Sequence, residues 1–164
     1  GQSGVCIMPK NKHLTDEERL HIERLLKERV SIKQIAVKLG KSTSTISREI
    51  RAHAVSSDKS APHRIPNRCI KRYDCNRRYL CEDKPDCTKI CRSCKLCNNL
   101  CPDFEEDVCI KLSVQPYVCN GCTDERLCTL RKRYYLHNQA HKAYRETLVQ
   151  SRTELIFLKM SFCC

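Results

Sequence analysis

Residues 35–50 read IAVKLGKSTSTISREI, and the fold is decided by how that stretch is parsed around Gly40. Upstream, Ile32, Ile35, Ala36 and Leu39 recur at the spacing of one buried helical stripe. Downstream, Ser42 stands where a helix N-cap belongs, and residues 43–51 hold only Ile46 and Ile50 as large apolar side chains, one turn apart. A glycine between two such segments adopts the left-handed conformation without a Cβ penalty, so the chain turns sharply there. Ala36, before the turn, permits close approach of the next helix, and Ile46, after it, meets the core.

Working outward, Thr15 and Glu18 form a capping box, and Asp16, Glu17 and Glu18 suit the positive end of a helix dipole. Ile22, Leu25, Leu26 and Val30 then supply the buried stripe of a first helix over residues 15–29. Ser31 and Gln34 make a second capping box for the helix that Gly40 ends. Three helices within residues 13–53, the last two joined by a glycine turn, predict a helix-turn-helix domain. With Ile46 and Ile50 inward, the candidate DNA-binding residues are Ser42, Thr43, Ser44, Thr45, Ser47, Arg48 and Arg51. Their hydroxyls and guanidinium groups are the donors and acceptors that reach base edges and phosphates in a major groove. The competing reading is a small bundle with a merely solvated third helix. Solvated faces usually mix Glu with Lys, whereas this one is built from Ser, Thr and Arg, and Ser and Thr are mediocre choices for helix stability alone.

Composition agrees with a polyanionic partner. The 164 residues carry 31 Lys plus Arg against 19 Asp plus Glu, a net charge of +12. Residues 1–68 hold +7 of it and residues 129–164 hold +5, while the middle is neutral. Such an excess points to nucleic acid before membrane. With 3 Phe, no Trp and a mean hydropathy of −0.56, apolar burial alone holds a chain of this size weakly. Residues 1–12 read as a disordered tail. The Pro- and Ser-containing residues 54–68 read as a linker. No apolar run spans a membrane and no secretory pattern opens the chain, so a soluble, cytoplasmic protein is expected.

Twelve of the 15 cysteines fall within residues 69–128: Cys69, Cys75, Cys81, Cys87, Cys91, Cys94, Cys97, Cys101, Cys109, Cys119, Cys122 and Cys128. In a reducing compartment, clustered thiols argue for metal rather than disulfides. Tetrahedral zinc takes four thiolates at about 2.3 Å, so twelve divide into three sites, without the spacing saying which cysteines share an ion. Buried apolar thiols are disfavoured by the charged neighbours. The run Cys91, Cys94, Cys97, Cys101, Pro102 has the spacing that ligates iron–sulfur clusters, and a cluster is the alternative cofactor. The block contains no histidine, so an open catalytic zinc is not expected.

After Cys128, the residues Leu130, Tyr134, His137, His141, Tyr144 and Leu148 alternate at four and three, predicting a basic helix over residues 129–152. Arg131, Lys132, Arg133, Lys142 and Arg145 cover the rest of it, with Lys132 and Arg133 expected on phosphates. His137 and His141 read as polar members of a packing seam. The predicted class is mainly α: a three-helix helix-turn-helix domain, an irregular cysteine-rich metal-binding block and a long C-terminal helix.

The stretch HLTDEERLHIERLLKERVSIKQIAVKLGKSTSTISREIRAH resembles the N-terminal helix-turn-helix of bacterial transposases of the insertion-sequence-thirty family. Residues 13–152 resemble the N-terminal half of a cysteine-rich branch of that family. The resemblance implies sequence-specific binding of double-stranded DNA at the terminal inverted repeats of a mobile element, in transposition and DNA recombination. It also implies a following RNase H-like catalytic domain with two Asp and one Glu. No acidic residue here matches that triad, so no catalytic residue is carried over, and a truncated product that binds without chemistry is expected. Residues 153–164 read as an aberrant tail. Adding one G before a back-translation of ELIFLKMSFCC gives GINFSEDELLL, which predicts a frameshift. The alternatives are a stand-alone transcription regulator with structural zinc and an iron–sulfur redox protein. Self-association is left open by the sequence. No nucleophile–base pair, phosphate loop or acidic metal cluster favours an enzyme.

Overall fold

The computed structural model describes residues 13–60 and 63–161, with side chains described as far as Glu154. The expected tail over residues 1–12 and residues 162–164 of the tail after Arg152 lie outside the described residues.

Three helices open the fold: α1 (Asp16–Lys27), α2 (Ile32–Leu39) and α3 (Thr43–His53). Their boundaries follow local chemistry. The Glu18 N–H donates to Thr15 Oγ1 at 3.1 Å while Glu18 Oε2 accepts from the Thr15 N–H at 2.9 Å, closing the capping box. Ser31 and Gln34 repeat the arrangement at α2, and Gly40 ends α2 with φ 60. Arg29, also left-handed at φ 60, stops α1 two residues short of the predicted end.

The chain then forms a two-stranded antiparallel sheet of β1 (Ala54–Ser57) and β2 (Lys132–Tyr135), with Ala54 opposite Tyr135 and Ser57 opposite Lys132. Two sequence expectations are corrected here. Residues 54–57 are strand rather than linker, and residues 132–135 are strand rather than the first turn of a helix. Leu130, Tyr134 and His137 fit a helical stripe by spacing alone, but the extended backbone sends Tyr135 and Tyr134 to opposite sides. Tyr135 is fully buried, while the Tyr134 hydroxyl donates to Glu125 Oε1 at 2.5 Å. Between the strands lies the cysteine block, mostly turns, with one short α-helix, α4 (Cys97–Leu100), and 3-10 turns at Cys91–Ser93 and Ile110–Ser113. The last element is α5 (His137–Ser161). Among the described residues no helix is long and apolar enough to cross a membrane.

The core is that of the helix-turn-helix, closed by later parts of the chain. Ile22, Leu25, Leu26, Ile32, Ile35, Ala36, Ile46 and Ile50 pack with Val118, Tyr135 and Ala140. Charge sits in this seam. Glu23 accepts from the His137 N–H at 2.8 Å, lies 2.8 Å from His137 Nδ1 and pairs with Lys27 at 2.6 Å. Burial alone would raise its pKa, but these donors outweigh it and hold the carboxyl at about 2 instead of 4.5.

That depression is a stability term with a definite sign. A carboxylate with a lowered folded-state pKa stabilises above its unfolded value, and the contribution is lost as pH falls. Here the window runs from 4.5 down to about 2, and the contribution is on the order of 3 kcal/mol. Denaturant unfolding at successive pH values should therefore show a shallower acid loss for Glu23→Gln than for the native chain. Equal slopes would show that Glu23 is not coupled to folding.

Candidate nucleic-acid interface

The face of α3 opposite its buried isoleucines is open. Ile46 and Ile50 are fully buried, whereas Ser42, Thr43, Ser44, Arg48 and Arg51 are exposed and Thr45 and Ser47 are half-buried. Ser44 and Arg48 lie one turn apart in the row furthest from the core, and the Arg48 Nε–H donates to Ser44 O at 3.3 Å. This row presents one hydroxyl and one guanidinium to solvent.

Several of the other sequence-selected residues are partly committed within the protein. Ser42 Oγ accepts from the Thr45 N–H at 3.1 Å and sits within 2.9 Å of Ser44 Oγ and 2.8 Å of Thr45 Oγ1. Its first role is the helix cap. The Arg51 guanidinium lies 5.1 Å over the Tyr117 ring, and Arg51 O accepts from Arg133 at 3.5 Å. Lys132, expected on a phosphate, is buried instead: its Nζ donates to Cys128 O at 3.0 Å and Lys59 O at 3.4 Å.

What fixes α3 was not singled out from the sequence. Glu49, on the inner shoulder of α3, accepts from Arg19 Nε at 2.7 Å and from the Tyr135 hydroxyl at 3.0 Å. Arg19 is 2 % exposed, also donates to Leu14 O at 2.8 Å, and has its guanidinium 4.5 Å over the Tyr144 ring. Burial, and then the nearby Glu49 carboxylate, push the Tyr135 hydroxyl pKa up, so it remains a donor. α1, α3, β2 and α5 thus share one buried charged junction. The available signal was Arg19 itself, three residues before Ile22 on the apolar stripe of α1.

The C-x-x-C turn at Cys119 and Cys122 abuts the same domain. The Cys122 N–H donates to Cys119 O at 2.9 Å, and Gly121 between them has φ +71. A Cβ at Gly121 would lie 2.6 Å from Lys27 O and 2.7 Å from Leu26 O, so the turn packs directly on the last turn of α1. Buried Asn120 braces it, donating to Tyr135 O at 2.9 Å and accepting from the Tyr135 N–H at 2.8 Å. His137 and His141 lie in the seam between α1 and α5, against Glu23 and 3.7 Å from Asp16 respectively.

All twelve cysteines of the block are free thiols. Cys69, Cys91 and Cys97 are buried, the others half-buried. Among the described residues no three His, Cys, Asp or Glu side chains converge on one ion-sized point. The thiols nevertheless have neighbours. Burial pushes Cys97 up to about 11, with Cys101, Cys69, Cys75 and Cys91 adding to it. Cys81 is raised by burial, then by Cys94, Cys87 and Cys91. Burial also raises Cys119, against the Arg133 N–H that donates to its sulfur at 3.5 Å, and Cys122, Cys128 and Cys109 add to the rise. Two clefts border these groups. One of about 580 Å³ has Cys69, Cys75, Cys97 and Cys101 in its wall, and one of about 690 Å³ has Cys109, Cys119, Cys122 and Cys128.

Comparison with curated proteins and with solved structures found no match. Comparison with family models did: residues 10–53, which include the whole of α1, α2 and α3, match the model of a helix-turn-helix domain.

Proposed function

We propose that this chain binds duplex DNA sequence-specifically by laying α3 in the major groove, as the end-recognising part of a transposase acting on the terminal repeats of a mobile element. The observation that carries the reading is the open row of Ser44 and Arg48 on a helix anchored from behind by Ile46, Ile50 and Glu49. Three further facts support it: the match to a helix-turn-helix domain, a type typical of transposase N-termini; the charge of +12; and its concentration in the flanks. Arg48 is the base-reading candidate and Lys33, exposed in the first turn of α2, a phosphate-positioning one. The cysteine block is read as a zinc-held structural element that helps seat this domain, and the residues of this chain supply binding rather than strand-transfer chemistry.

The test is equilibrium binding of the zinc-loaded chain to a duplex selected from a random pool and to a scrambled one, over a salt series. Affinity should fall linearly with salt on logarithmic axes, as counterions compete for phosphates. Arg48→Ala should cost about 1–3 kcal/mol on the selected duplex and little on the scrambled one. Lys33→Ala should weaken both alike and reduce the salt slope by about 1. Equal losses on both duplexes for Arg48→Ala would remove it from base reading.

A further inference from the structure

We infer that the cysteine block carries three separate four-thiolate zinc sites whose membership is set by the fold. The inference rests on the zinc reading of the block and is independent of the DNA reading.

The first site joins Cys69 and Cys75 to Cys97 and Cys101. These four share the wall of the smaller cleft. α4 brings Cys97 and Cys101 to one side of a single turn, the Cys101 N–H donating to Cys97 O at 3.2 Å. Asn98, within that turn, holds the segment before Cys69 by donating to Pro66 O at 2.6 Å and accepting from the Arg68 N–H at 2.9 Å. The two pairs, far apart in sequence, are thereby held at one cleft.

The second site lies in the intervening loop and uses Cys81, Cys87, Cys91 and Cys94. Successive turns connect Cys81 to Lys84 and Lys84 to Cys87, and the Cys94 N–H donates to Cys91 O at 2.9 Å. Arg78 donates to Thr88 O, and the Cys91 N–H to Arg77 O at 2.8 Å, folding the two halves of the loop together.

The third site joins Cys109 to Cys119, Cys122 and Cys128, which share the wall of the larger cleft. Lys111, beside Cys109, pairs with Asp124 in the loop between Cys122 and Cys128. The Arg133 N–H on Cys119 Sγ is the kind of donor that orients a metal-bound thiolate. Zinc with four thiolates requires each set to close by side-chain rotation, and cysteine has a single side-chain torsion with three wells.

One consequence separates this grouping from the iron–sulfur reading. The run from Cys91 to Cys101 is divided, its first pair belonging to the loop site and its second to the α4 site.

The test counts zinc on the full chain by native mass spectrometry. The unaltered chain should hold three ions. Cys91→Ser with Cys94→Ser, and Cys119→Ser with Cys122→Ser, remove ligands from one site and should each leave two. Cys94→Ser with Cys97→Ser, neighbours in sequence but in different sites, should leave one. Any other count for a pair overturns the grouping, and an unaltered chain without zinc overturns the zinc reading beneath it. Alkylation of the unaltered chain during stepwise chelation needs no variant: cysteines should become reactive in these sets of four, and reactivity in mixed sets overturns the assignment. Neither measurement involves DNA, so a failure of the DNA reading registers separately.

Discussion

Glu49→Ala should lower the thermal midpoint by on the order of 10 °C, corresponding to a loss of about 3–5 kcal/mol. Glu49 is the partner of an arginine that is 2 % exposed, and removing the carboxylate leaves that cation without its counter-charge. The remaining partners, Leu14 O, His141 Nδ1 at 3.5 Å and the Tyr144 ring, do not replace a carboxylate. The Tyr135 hydroxyl loses its acceptor in the same step. Replacing both charged partners, with Arg19→Met added to Glu49→Ala, should cost less than Glu49→Ala alone, because the desolvated charge goes too. A thermal scan of the three variants checks this. A double variant worse than Glu49→Ala alone would show that shape, rather than charge, holds the junction. Because Glu49 lies on α3, the single variant should also weaken duplex binding without touching any exposed side chain.

Gly121→Ala is the second large effect, at about 2–4 kcal/mol. Its two sources are distinct. An L-residue at φ +71 is strained wherever it stands, and the new methyl meets two backbone carbonyl oxygens at 2.6 and 2.7 Å. Those atoms belong to α1 and have no rotamer by which to move aside. Relief requires the C-x-x-C turn to lift from the helix, carrying Cys119 and Cys122 with it. Chemical denaturation should therefore show lost stability, while zinc counting should still show the ions if the turn moves as a unit. An alanine variant as stable as the native chain would place this turn away from α1.

Much of the helix-turn-helix was legible because its signals are local. The Thr15–Glu18 box, the Ser31–Gln34 box and the left-handed Gly40 act within one turn of chain, and all three stand where the residues placed them. Ile46 and Ile50 likewise fixed the exposed row by spacing alone. What spacing did not reveal depends on distant partners. β1 and β2 have 74 residues between their nearest ends, and neither carries a pattern strong enough to declare a strand alone. Lys132 looks like a surface cation until the fold covers it. Arg19 interrupted an apolar stripe and so had a visible sign, but its partner thirty residues on had none. That Cys97 and Cys101 share a cleft wall with Cys69 and Cys75, more than twenty residues upstream, was likewise beyond sequence arithmetic.

The most direct measurement of the central claim is methylation interference on the best-bound duplex from a random pool. Guanine N7 lies in the major groove, where a bound helix presses against it. With α3 seated there, methylation at particular guanines should block binding, and Arg48→Ala should become insensitive at one of them. Binding that tolerates N7 methylation at every guanine would contradict the account.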